Sequence, residues 1–155
     1  MYVDNNLVVS GGVTVAGVVT FQTVTGAAVV LSTNTIDLGA NRDMGAGTNF
    51  LKMRMQIGVV FAGLTALKAD IIAADDAALS ANVTVIGSTG DVPVALLLAN
   101  ARFEAELNTR ILSKGQRYIG VRYTPTGTGT TGTVFTDFGD GIEDFKAYPS
   151  GFAVL

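Results

Sequence analysis

The chain has 155 residues, enough for one domain with its own buried core, and its net charge at pH 7 is −3. It contains no histidine and no cysteine, which excludes disulfides, thiolate chemistry, Cys/His zinc sites and every Ser-His or Cys-His nucleophile. The usual general base near neutral pH is missing too, and the acidic balance argues against nucleic acid, because phosphate binding needs clustered Lys and Arg.

Only 15 % of the residues are charged, and apolar side chains make up 48 %. Monomers rarely leave large apolar patches exposed. A chain so poor in charge is expected to cover part of its surface with a partner, often a second copy of itself.

Residues 1–12 carry no basic side chain and do not resemble a signal or transit peptide. They are read as an N-terminal arm on a single domain covering 1–155. From Asn5 to Ile36 there is no charge at all, and Val13 to Leu31 approaches the length of a membrane span. Flanks without Lys or Arg and an interior of Gly, Thr and Gln argue against a span. Val-Thr recurrences around Gly17 and Gly26 predict short strands instead, and no membrane partner is expected.

Asp37, Arg42 and Asp43 fall in a Gly-punctuated turn region, and pairing among them or with another subunit is the structural use expected of them. From Met53 to Phe61 alternate residues are apolar, with Lys52, Arg54 and Gln56 between them, the period of a half-buried strand. Leu64–Ala81 fits helix and strand alike, and so does Val92–Ser113. Asp75-Asp76 reads as a turn. Asn82–Ile86 reads as a strand closed by Gly87–Asp91, and Arg117–Tyr123 as a strand with Ile119, Val121 and Tyr123 on one face. Pro125–Gly132 is expected to be a loop, Thr133–Thr136 a strand, and 140–155 a C-terminal tail. Short strands between turn signals predict an all-β, antiparallel sandwich or barrel with at most one or two short helices.

Three motifs invite a chemical reading. Gly127–Gly132 spells G-x-G-x-x-G, but a strand-like segment follows where a nucleotide site needs a helix, so a hairpin loop is expected. Asp137–Asp144 concentrates four carboxylates without EF-hand spacing, and is expected to be a solvated acidic turn. Glu104 and Glu106 share a strand face, as a glycosidase pair would, yet a chain without Trp offers no sugar platform. The expectation is no catalytic residue, no metal, no cofactor and no enzyme activity.

The order of residues also resembles a known family. Met1-Tyr2-x-Asp4-x-x-Leu7-x-x-Ser10 comes first, then Ser32–Gly39, Arg42-Asp43-Met44-Gly45-x-Gly47, Asp75-Asp76 and Arg117–Tyr123. This pattern resembles the Bbp16-type capsid cement proteins of tailed bacteriophages. The stretch Gly11–Val30, the segment Leu96–Ser113 and the tail depart from it. The resemblance implies a jelly-roll β-sandwich on the outer surface of an icosahedral head, made in the host cytoplasm. It implies bridging of major capsid protein subunits, often as a homodimer. Loops and termini are where sandwich contacts usually fall, so the expected contact residues are Tyr2, Asp4, Asp37, Arg42, Asp43 and Met44. The competing reading is a phage or cell-surface carbohydrate-binding sandwich, which requires a groove lined with aromatic side chains.

Overall fold

A computed structural model describes residues 5–39, 52–107 and 116–139. The strands are β1 (Val8–Ser10), β2 (Gly12–Val13), β3 (Val19–Thr20), β4 (Gln22–Thr23), β5 (Val30–Leu31), β6 (Ile36–Asp37), β7 (Lys52–Ile57), β8 (Ala62–Ala74), β9 (Thr84–Pro93), β10 (Arg102–Glu106), β11 (Tyr118–Thr131) and β12 (Thr133–Gly139). Helix is limited, among the described residues, to the 3-10 turns Asn5–Leu7 and Val94–Leu96.

Two antiparallel sheets face each other. The first runs β1-β12-β7-β10, with β4 also on β12. The second runs β5-β11-β8-β9, with β6 also on β11. Among the described residues the first strand lies beside the last, and β7, β8, β9, β10, β11 and β12 change sheet at every step except β8 to β9, which pair within the second sheet. That is the strand order of a jelly roll. The predicted all-β sandwich is therefore what the chain forms.

The core lies between the sheets. Met53, Met55 and Ile57 of β7 and Val134 and Phe138 of β12 face Leu67, Ala69, Ile71 and Ala73 of β8 and Ile119, Val121 and Tyr123 of β11. Full burial of each large apolar side chain stabilises the fold by roughly 1.5–3 kcal/mol. One polar knot crosses this core. The Tyr123 hydroxyl donates to Thr136 Oγ1 at 2.7 Å and accepts from Ser10 Oγ at 2.6 Å. It thereby ties β11 to β12 and β1. Burial pushes the Tyr123 phenol up to about 12, against the opposing pull of its two hydrogen bonds.

Several local expectations change. The open choice in Leu64–Ala81 resolves to strand β8, because Leu67, Ala69, Ile71 and Ala73 alternate into the core. Asp75-Asp76 is a turn. The Asp76 carboxylate accepts from the Ser80 hydroxyl and the Ser80 and Ala81 amides, which holds its pKa below 3.8. Leu79 in that turn has φ +56 and lies over the side-chain-free surface of Gly120. In the second ambiguous segment Arg102–Glu106 is strand, and Val94–Leu96 is a single 3-10 turn.

Gly87–Asp91, expected to close a strand, instead continues β9 through two register shifts. Gly87 is needed there. A Cβ would overlap the Glu106 carbonyl oxygen, where β9 and β10 bring the two sheets together. The segment Pro125–Gly132 is likewise not a loop but largely strand, and the hairpin expectation fails: β11 and β12 belong to different sheets. Gly132, at φ +146, turns the chain from one sheet to the other against the Phe61 ring. Val13–Leu31 folds as β2 to β5. Among the described residues no helix is long and apolar enough to cross a membrane.

Candidate functional site

The two ends of the sandwich differ in chemistry, and strand direction sets the difference. At one end lie Glu106, Lys52 and Gly139, register partners within the first sheet, and Asp37, Tyr118 and Ala74, register partners within the second. The chain leaves for and returns from its undescribed stretches here, at Gly39 and Lys52, at Leu107 and Gln116, and beyond Gly139. Of the expected contact residues, Tyr2, Asp4, Arg42, Asp43 and Met44 lie outside the described residues, as does the tail 140–155. Asp37 lies at this end, at the close of β6.

Its carboxylate is already engaged. Arg117 Nε reaches Oδ1 at 2.5 Å and a second guanidinium nitrogen reaches Oδ2 at 2.7 Å, while the Gly39 amide donates to Oδ1 at 2.8 Å. The Arg117 bond and then the Gly39 amide hold the Asp37 pKa below 3.8, and the same pair raises that of Arg117. The guanidinium also lies 5.2 Å from the Tyr118 ring centroid. Arg117 is the partner that sequence reasoning missed. It stands 80 positions away, and only the pairing of β6 with β11 brings it near.

The carboxylates read as chemical candidates divide. Glu104 and Glu106 are exposed on the edge strand β10. Glu104 contacts Lys52 Nζ at 3.4 Å, and Glu106 faces Lys52 in register, as the solvated-edge reading expects. Asp137 corrects the sequence reading. It is not in a solvated turn but inside β12, fully buried, and paired in bidentate fashion with Arg54. Arg54 in turn is buried to 8 % exposure rather than set on an open polar face. Register lines up Asp137, Arg54 and Glu104 across β12, β7 and β10. Among the described residues no group of three or more Asp or Glu side chains is placed to hold a metal ion.

The opposite end is built from the β7–β8 connection, the β9–β10 connection and the crossing at Gly132. The Phe61 amide donates to the Leu97 carbonyl at 3.2 Å, and the Thr133 amide to Val59 at 3.3 Å. Leu97 and Phe61 point into the core. Their neighbours Val59, Val60, Leu96 and Leu98 keep 43 to 57 % of their surface exposed. Phe21, packed edge-on against Phe135 at 6.4 Å, adjoins them over Gly58. The segments that meet here, 10–36, 55–67, 92–101 and 123–136, contain no charged residue. Beside them the hairpin β2–β3 presents Val15, Val18 and Val19 to solvent. Sequence reasoning placed Val59 on the core face; it lies past the end of β7 and is exposed. The uncharged run Asn5–Ile36 was a visible signal, but its convergence with three others was not.

A shallow groove of about 410 Å³ runs between Leu31–Thr35 and Ala77–Leu79. Its lining is aliphatic and hydroxyl-bearing, with no aromatic side chain.

Compared with known protein families, the chain matches the Bbp16 family model over residues 18–137, more than three quarters of its length. No curated protein matches it. The matched span takes in every strand from β3 to β11, most of β12, three of the four segments of the uncharged end entirely, and the first of them from residue 18 on. The chain belongs to Bbp16, a phage-associated family.

Proposed function

We propose that this protein is a structural component of the virion that binds the outside of an icosahedral phage head and stabilises it by bridging major capsid protein subunits. The observation that carries this reading is membership of a phage-associated family across nearly the whole jelly roll. The exposed apolar, uncharged end supports it, since such a surface suits protein contact. The mechanism is thermodynamic. A protein that binds the assembled shell but not its separated subunits favours assembly by its differential affinity, about 2.7 kcal/mol per site at a hundredfold excess over Kd. Many copies on one lattice add avidity. Self-association, expected from the low charge, belongs to the same reading. The carbohydrate-binding alternative needs an aromatic platform, which the groove at Leu31–Thr35 lacks.

The test is to add the purified protein to heads of the parent phage that lack it. Co-sedimentation and a higher temperature of genome release are the expected results. Heads that neither retain the protein nor gain heat resistance would sink the reading.

A further inference from the structure

We infer that the uncharged end of the sandwich, centred on Val59, Val60, Leu96 and Leu98, is the face that docks on the shell. The inference rests on the cement reading and adds to it the surface used and the chemistry of its partner. Sequence analysis had placed the contacts in the arm, the loop after Asp37 and the tail. Of the contact residues expected there Asp37 is described, and its carboxylate is occupied by Arg117 and Gly39.

Charge complementarity names the partner's chemistry. Four segments meet at this end without one formal charge. A charged group on the partner, once desolvated here, would find no counter-charge. The partner surface is therefore itself uncharged: apolar at its centre and hydroxyl- or amide-bearing at its rim, as the threonines around Gly129 are on this side. Area argues for a lattice over a solution dimer. Four half-exposed aliphatic side chains and Phe21 make a patch on the order of a few hundred Å². A stable pair of proteins buries about 800 Å² on each partner. A contact of this size is weak alone and becomes firm only when repeated across a shell.

The face is also stiff. Main-chain hydrogen bonds from Phe61 to Leu97, from Asn100 to Ile57 and from Thr133 to Val59 tie its connections together. Little conformational freedom is left to lose on docking.

The experiment compares wild type, Val60→Asp with Leu98→Asp, and a control Val85→Asp, in co-sedimentation with heads lacking the protein. Val85 is an equally exposed apolar residue on the outer face of β9. The expected result is at least about a tenfold loss of head binding for the double variant and none for the control. Thermal unfolding of all three proteins should agree, because the substituted side chains are exposed. Wild-type binding should change less than about twofold between about 50 and 500 mM NaCl, since no charge pairs form. A double variant that binds like wild type overturns the inference and leaves the cement reading standing. So does a double variant that changes the protein's oligomeric state, which would assign the face to a second copy. Wild-type protein that ignores the heads overturns both.

Discussion

At the scale of single residues, stability depends on a few polar groups held where water is absent. Arg54 and Asp137 form a buried pair across β7 and β12. Removing one member strands a charge in the sheet, which typically costs about 3–5 kcal/mol. Arg54→Ala should therefore lower the unfolding free energy by about 3 kcal/mol in urea titration. The double change to Arg54→Leu with Asp137→Leu should be markedly milder than the sum of its parts. Tyr123 sets the alkaline limit. Its folded pKa of about 12 lies above the ordinary 10.0, so the native state holds a proton that the unfolded chain releases. Its stabilisation is complete below pH 10 and is lost as pH rises through 12, by an amount on the order of 2 kcal/mol. Tyr123→Phe should remove that alkaline slope, measurable as the pH dependence of the urea midpoint. Asp76 works on the opposite side. Its lowered pKa contributes stability above pH 3.8 that fades as pH falls, and Asp76→Asn should flatten the acid limb.

At the scale of elements, the decisive pieces are the places where strands change sheet. Gly132 carries the chain from β11 to β12 with φ +146 and with the Phe61 ring where a side chain would go. Gly132→Ala adds backbone strain and overpacking at once. The expected loss is about 3 kcal/mol by chemical denaturation, and only a smaller side chain at Phe61 should relieve part of it. β1 lies within the range expected to form an arm. The range 1–12 contains Val8, Val9 and Ser10, all buried beside β12.

For the molecule as a whole, that pairing matters most. Val8 pairs in register with Asp137, so β1 and β12, more than 120 positions apart, must meet before the first sheet is complete. Long-range pairing of this kind slows folding, and refolding in stopped-flow fluorescence is expected on the millisecond-to-second scale typical of sandwiches, about ms–s. Deleting residues 1–10 should expose the edge of β12 and lower the melting temperature by roughly 10 °C, corresponding to about 3 kcal/mol. The same global arrangement separates a charged end from an uncharged one, and with them the two kinds of surface the protein offers.

The strand from Met53 to Ile57, the Ile119-Val121-Tyr123 face and the Asp75-Asp76 turn were legible in the sequence, because alternation and turn chemistry are local. The family resemblance was legible too, and the match over 18–137 shows the family. Other features depend on partners far along the chain. Leu67 to Ala73 alternate, but their helical propensity is overruled only by β9 and β11 on either side. Asp137 reads as one of four clustered acids until Arg54, 83 positions away, lies beside it. The uncharged end exists in no single segment. Composition and periodicity determined an all-β chain without His or Cys chemistry; only the packing of two sheets decided which charges are buried, which carboxylate is already paired, and where four uncharged stretches converge. The reason is that period and turn preference act between neighbours, whereas burial and ion pairing act between residues that only the fold makes neighbours.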